Sequence, residues 1–385
     1  MRTRGSVLMV AVLLAGCGGS DPLTSRGGGA SATLQQGDIT CTDQPADLTS
    51  PKWQSTMKSC TLIGDPRVPN FVTADGQILK IWPTMQFWTY VPPSAGPHPP
   101  LVVFLHGTTQ TVENAARGVR WNELADQKGF MIVYPQQVDN TWNWGQTTSY
   151  GRGVGDLESV FRITRYVQQK YQTDPTRTYV MGLSSGAITS TMLAAAYADA
   201  YTGVVSYMGS SYNESDPHGE QGYQAMAENA KVVPAFHVHG TDDHLFPPPV
   251  GEAADTGWAG TDDWADNGTA DGSVSPTPEI DDSHITPEPG PDPPTGMDTC
   301  PTTNNNVCSG TALGYKTYGY EISRYRQADG NGCVLVEGWM VTGLAHNYVG
   351  GDPEGTYVDP TGPDVTMAAW DFLEQAYACL HAAPP

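Results

Sequence analysis

The stretch that most limits the possible folds is Tyr179-Val180-Met181-Gly182-Leu183-Ser184-Ser185-Gly186-Ala187. A short apolar, β-favouring run meets a Gly-x-Ser-x-Gly pentapeptide and passes at once into Ser185 to Ala198, a segment of helical composition rich in Ala and Met. A strand that turns into a helix within one residue holds the side chain at the bend exposed, where a neighbouring base can activate a serine hydroxyl. Gly182 and Gly186 spare the bend two Cβ atoms that would push the crossing backbones apart. Glycine is frequent in this chain, 43 of 385 residues, so the pentapeptide does not decide the matter by itself. It needs backbone donors before it and an acid and a histidine after it.

Leu101-Val102-Val103-Phe104-Leu105, Phe130-Met131-Ile132-Val133-Tyr134 and Thr178 to Met181 read as strands buried on both faces, the pattern of a parallel sheet. Gln86 to Val91 reads as an earlier strand, and Val204 to Tyr207, Ala235 to Val238 and Val334 to Glu337 as later ones. Helices are expected over Asn114 to Gln127, over Asp156 to Tyr171, where Leu157, Val160, Phe161, Thr164 and Val167 recur at helical spacing, and over Asp364 to Leu380. Strands alternating with helices predict an α/β fold with a mostly parallel central sheet flanked by helices. One segment departs from this order. Between Lys231 and Lys316 there is no Lys or Arg but there are fourteen Asp and Glu, and Ser275 to Pro301 is studded with proline. Residues 269–311 are therefore expected to form an irregular acidic, Pro-rich insertion, solvated rather than packed. Asp262, Asp263, Asp266 and Asp271 do not have the spacing of a calcium loop.

The ends of the chain point outward from the cell. Arg2 and Arg4 precede an apolar run from Val7 to Leu14, and Leu14-Ala15-Gly16-Cys17 has the form of a bacterial lipobox. The expected organisation is a lipoprotein signal peptide over 1–16, a lipidated Cys17 with a Gly/Ser-rich tether over 17–37, and one catalytic domain over 38–385. The product would be secreted to the cell envelope and held by lipid at the outer membrane or cell surface. A formal net charge of −22 disfavours nucleic acid and anionic head groups as partners. Cys41, Cys60, Cys300, Cys308, Cys333 and Cys379 remain, an even number in an exported chain. The pairing expected is 41 with 60 and 300 with 308 by proximity, and 333 with 379 as the remainder. No Cys-x-x-Cys pair or His/Cys cluster suggests a metal, and no cofactor is expected.

Acyl transfer by serine requires a base, an acid that orients it and amides aimed at the developing oxyanion. His239-Gly240-Thr241-Asp242-Asp243 follows a strand, and Asp243 is the candidate acid with Asp242 its competitor. Gly343-Leu344-Ala345-His346-Asn347-Tyr348 places His346 in a Gly-bounded loop, with His244 its rival as base. Ser184, Asp243 and His346 stand in the order that α/β-hydrolases use. The oxyanion donors expected are the amide of Ser185 and one after Leu105, taken as Thr108, with Thr109 or Gln110 as alternatives. His106 and His239, each before a Gly at a strand end, suit structural bonding of their loops.

At these residues the chain resembles the poly(3-hydroxybutyrate) depolymerase family of esterases, related to secreted feruloyl and acetylxylan esterases. The stretches that carry the resemblance are Leu101 to Gln110, Leu124 to Gln136, Trp142-Asn143-Trp144, Arg152 to Asp156, Thr178 to Gly186, His239 to Asp243, Trp264 to Gly268, Gly343 to Gly351 and Tyr357 to Trp370. The resemblance implies an α/β-hydrolase fold, ester hydrolysis without a cofactor, and the roles given above to Ser184, Asp243 and His346. It also implies that Trp142 and Trp144 border the substrate cleft, with Tyr348 in the wall where relatives carry a Trp. Thr108 and Thr141 stand where the family commonly has two cysteines, which implies a less braced oxyanion loop. The expected substrate is a short-chain or 3-hydroxyalkanoate ester. A feruloyl or acetylxylan ester, an aromatic polyester, or a non-catalytic binding role for the scaffold are the alternatives. A monomer is expected.

Overall fold

Leu101–Leu105, Thr178–Leu183, Gly203–Tyr207 and Ala235–Gly240 are buried at every position, because each lies inside a parallel sheet covered on both faces. The computed structural model describes residues 39–40, 47–64, 71–72, 76, 78–79, 83–138, 140–142, 151–213, 216–285, 318–328 and 332–382. All of them fall in one compact unit, Leu34–Pro385. The signal peptide, Cys17 and the tether read from the sequence lie outside the described residues.

The strands of the main sheet, in chain order, are β1 (Ile39–Thr40), β2 (Lys58–Leu62), β3 (Met85–Tyr90), β4 (Leu101–Leu105), β5 (Met131–Gln136), β6 (Thr178–Leu183), β7 (Gly203–Tyr207), β8 (Ala235–Gly240), β9 (Glu279–Asp281), β10 (Tyr320–Arg326) and β11 (Val334–Val341). Across the sheet they run β1-β2-β3-β5-β4-β6-β7-β8-β11-β10-β9. The block β5-β4-β6-β7-β8-β11 is parallel throughout, and the strands beyond it on both sides pair antiparallel. The carboxyl ends of six strands therefore open on one edge, where an α/β sheet places its ligand.

The helices are α1 (Val112–Gly118), α2 (Trp121–Lys128), α3 (Gly155–Tyr171), α4 (Ser185–Ala196), α5 (Glu220–Met226), α6 (Pro248–Asn267) and α7 (Val365–Leu380). Strand side chains alternate between two cores. Leu101, Val103 and Leu105 pack with α3, α4, α5 and α6, while Val102 and Phe104 pack with α1, α2 and α7. α4 is buried at all its positions, which fixes the residue just before it.

Three expectations change. The single helix expected over Asn114 to Gln127 is two, because the amide of Asp352 donates to the Gly118 carbonyl at 2.7 Å and Arg120 turns left-handed at φ 57°. A Cβ at Gly118 would lie 2.7 Å from Val358, so this crossing requires glycine. The insertion expected to be irregular from 269 begins instead with sheet pairing, since Val274 bridges Gln327 and β9 adds to β10. Its remainder, 286–311, lies outside the described residues. Third, α6 was not expected at all, because Gly251, Gly257 and Gly260 lower helix propensity. Those glycines let the helix approach its neighbours: a Cβ would lie 2.5 Å from the His239 ring at Gly251 and 2.4 Å from the His218 carbonyl oxygen at Gly260.

Cys333 pairs with Cys379, as expected, tying the start of β11 to the last turn of α7. Cys60 is also disulfide-bonded, whereas Cys41, Cys300 and Cys308 lie outside the described residues. Among the described residues no group of three or more His, Cys, Asp or Glu could hold a metal, and no helix is long and apolar enough to cross a membrane.

Two acids of α6, Asp262 and Asp263, are spent on the fold. Asp263 accepts from Ser273 Oγ and the Val274 amide, both at 2.9 Å. Asp262 is wholly buried; its Oδ1 accepts the Val233 amide at 2.8 Å and its Oδ2 has no partner. Burial pushes its carboxyl well above the usual carboxylate range, against the pull of the Val233 amide and with help from Asp266. The folded chain then keeps this proton where the unfolded chain loses it, so stability falls as pH rises above the ordinary carboxylate range. Melting curves of wild type and Asp262→Asn between about pH 4 and 9 should show the variant gaining in relative Tm as pH rises, and a pH-independent difference would contradict this.

Candidate active site

Ser184 occupies the single position between β6 and α4, with φ 55° and ψ −120°. Such a backbone costs a non-glycine residue about 1–3 kcal/mol and persists only where the surroundings impose it. Here they do. The Ser184 amide donates to the Tyr207 carbonyl at 2.9 Å. A Cβ on Gly186 would lie 2.3 Å from the Leu105 carbonyl oxygen, and one on Gly182 would lie 2.5 Å from the Gly186 carbonyl carbon. Both glycines of the pentapeptide are thus required by close approach, and the serine is left half-buried at the sheet edge.

The turn after β4 lies against this bend, since a Cβ on Gly107 would be 3.5 Å from Ser184 Cβ. Within it the Gly107 amide donates to Gln110 Oε1 at 2.8 Å, the Thr109 amide to the Asn140 carbonyl at 2.7 Å, and the Gln110 amide to the Gly107 carbonyl at 3.1 Å. The Thr108 amide is the one of the four without an acceptor among the described residues. The Ser185 amide, in the first turn of α4, has no intrahelical acceptor either. Thr108 Oγ1 donates to Ser185 Oγ at 3.0 Å and so ties the two segments together. His106 braces the turn from below. Its Nδ1 donates to the Gly107 carbonyl at 2.8 Å and its Nε2 accepts the Gln137 amide at 3.2 Å. Burial drives its pKa down to about 4, outweighing the Gly107 bond, so the ring stays neutral.

Asp243 and His346 follow the ends of β8 and β11 at the same edge. His346 Nδ1 donates to Asp243 Oδ2 at 2.7 Å. The other oxygen, Oδ1, accepts the Leu245 and Phe246 amides, each at 2.9 Å. Burial would raise the Asp243 carboxyl, but the bond and charge of His346, the Phe246 amide and His239 together hold it below the usual carboxylate range. It is therefore ionised, His346 carries its proton on Nδ1, and the lone pair of Nε2 is available. That Nε2 is buried without a partner, and no hydrogen bond joins it to Ser184 among the described residues. Hydrogen bonds of this kind are often loose before substrate binds. Asp242 and His244, the competitors, are both exposed. Sequence reasoning did not weigh Phe246, whose ring centroid lies 5.6 Å from that of His346. The signal was the pair of amides two and three residues after an Asp, the geometry of an Asx turn.

Residues 85–234 match the family model Esterase PHB depolymerase. Over 332 residues the chain is 27% identical to poly(3-hydroxyalkanoate) depolymerase C of Paucimonas lemoignei, covering 81% of this chain and 67% of that protein. Over these residues the chain resembles esterases of the PHB depolymerase family. It is also 33% identical to feruloyl esterase B of Neurospora crassa over 128 residues, 32% of this chain and 44% of that one. The solved acetyl xylan esterase from Aspergillus awamori superposes with a TM-score of 0.50 over 76% of this chain and 94% of its own, at 18% identity, a likeness of fold.

Where the PHB depolymerase resemblance led to an expectation about single residues, the structure corrects two of them. Trp142 is buried, 2% exposed, and its Nε1 donates to the His106 carbonyl at 2.7 Å. It supports the turn after β4 from within rather than lining a cleft. Tyr348 is wholly buried; its hydroxyl bonds Thr366 Oγ1 at 2.6 Å and the Val119 carbonyl at 3.2 Å, and its ring packs on Tyr207. Both side chains are buried and hydrogen-bonded within the fold. Trp144 lies outside the described residues. Thr108 and Thr141 join hydroxyl to hydroxyl at 3.0 Å. The turn expected to be less braced is thus held by hydrogen bonds instead.

Proposed function

We propose that the chain is a serine esterase in which Ser184 is the nucleophile, His346 the base and Asp243 the residue that holds the imidazole. The hydrogen bond from His346 Nδ1 to an ionised Asp243, with Nε2 unpartnered, is the observation that carries the reading. Ser184 Oγ attacks the ester carbonyl carbon as its proton passes to His346 Nε2. The carbonyl oxygen becomes the oxyanion and is held by the amides of Thr108 and Ser185, the two that the surrounding backbone leaves unspent. Collapse breaks the bond to the alkoxy group, which leaves as the alcohol with the proton from His346. Water then attacks the acyl-serine, gives its proton to the same nitrogen, and the carboxylic acid departs as Ser184 recovers its proton.

The substrate proposed is a short-chain or 3-hydroxyalkanoate ester, supported by the long match to a protein named for poly(3-hydroxyalkanoate). A feruloyl or acetylxylan ester is the second reading, supported by the shorter match to feruloyl esterase B. The chain spans under half of that relative's length. Export and lipid anchoring at Cys17 are proposed on the leader and lipobox alone.

Initial rates on p-nitrophenyl butyrate, a 3-hydroxybutyrate dimer and methyl ferulate separate these readings. The account expects turnover of the first two, a loss on the order of 10⁴–10⁶ in kcat for Ser184→Ala and on the order of 10⁴ for Asp243→Asn. Equal rates for wild type and Ser184→Ala would remove the mechanism, and turnover of the ferulate alone would move the substrate. In fractionated bacterial cells, wild type should sediment with membranes and Cys17→Ser should not. Identical partitioning would end the anchoring proposal.

A further inference from the structure

We infer that His239 is a positioning residue for the acid–histidine pair, clamping the turn 243–246 so that Asp243 stays aimed at His346 Nδ1. The inference rests on the roles proposed above for Asp243 and His346. His239 is the fifth residue of β8 and is buried, 4% exposed. Its Nε2 lies 2.6 Å from the Phe246 carbonyl oxygen. A carbonyl only accepts, so Nε2 carries the proton and donates. α6 leaves the ring no room to swing, because a Cβ on Gly251 would lie 2.5 Å from its Cγ.

Three of the contacts of Phe246 bear on the pair. Its carbonyl is fixed by His239, its amide donates to Asp243 Oδ1, and its ring packs at His346. Without the clamp, the Phe246 carbonyl loses this anchor, and the amides on Oδ1 shift with the turn that carries them. The charge of the clamp matters as well. His239 Nε2 is 3.7 Å from Asp243 Oδ2, the oxygen that binds His346. The titratable groups around the ring are Asp243, His346 and Asp255, and burial lowers its pKa despite the Phe246 carbonyl and the two acids. A neutral donor at that spot leaves the carboxylate charge to the imidazolium that forms on His346. A fixed cation there would compete for it.

Three substitutions test this. His239→Leu removes the donor, His239→Gln keeps an N–H that reaches Phe246, and His239→Asn is too short to reach and replaces the leucine variant should that one not fold. Two readouts apply: kcat and KM on an ester that wild type turns over, and the proton NMR signal of the His346 Nδ1–H bonded to Asp243. The inference expects kcat to fall by about 10²-fold in the leucine or asparagine variant with KM unchanged, as for a reacting group misplaced by about 1 Å. The Nδ1 proton signal should shift or broaden in the same variants, and glutamine should restore both. Leucine or asparagine variants with wild-type kcat and an unshifted signal would overturn it, as would equal losses in the glutamine variant. The proton signal needs no turnover. A wild type without esterase activity would therefore sink the proposed function, while the signal still decides the clamp.

Discussion

The site depends on Ser184 keeping a backbone conformation that an isolated chain would leave. Its φ of 55° is imposed from three sides. The Tyr207 carbonyl takes its amide, the Leu105 and His106 carbonyls press on Gly186, and α4 is buried along its whole length. None of these constraints is local to the pentapeptide. They exist because β4, β6 and β7 are parallel neighbours buried on both faces, and the sheet's cohesion is what sustains the strain.

The two sides of the site are braced by one device used twice. His106 and His239 each sit at the end of a parallel strand just before a glycine, each is kept neutral by burial, and each donates to a carbonyl of the following loop. His106 fixes Gly107 and with it the turn whose Thr108 amide is left over. His239 fixes Phe246 and with it the amides on Asp243. Neutral imidazole suits both places, because it supplies a directed N–H without adding charge beside the turn amides or the carboxylate. Trp142 and the Thr108–Thr141 pair complete the first brace. The resemblance had assigned the tryptophan to the cleft and expected a looser turn, and both shifts follow from hydrogen bonds that only the folded chain brings together.

Much of the fold was legible because its central strands are buried on both faces, which leaves continuous apolar runs such as Leu101 to Leu105 in the sequence. The placement of Ser184, Asp243 and His346 after strands at one sheet edge was legible because glycines frame the elbow and the histidine loop. What was not legible is long-range packing. Gly251 and Gly260 weaken α6 as a helix by propensity, yet their missing side chains admit the His239 ring and the His218 carbonyl. Tyr348 follows the candidate base by two residues, and nothing in that spacing says that its hydroxyl is spent on Thr366 and Val119. The break at Arg120 depends on an amide from Asp352, far along the chain. Of the acids between Lys231 and Lys316, Asp243, Asp262 and Asp263 are each bound to backbone amides, a use that a charge count reads as solvated surface.

The central claim is that Ser184 is the activated hydroxyl. An alkyl p-nitrophenyl phosphonate tests it directly, because an activated serine displaces the phenolate and keeps the phosphonyl group. Peptide mass spectrometry of the labelled protein should find one phosphonyl addition, on Ser184, formed slowly or not at all in His346→Ala. Addition to Ser185 instead, or labelling that is equally fast without His346, would contradict the account.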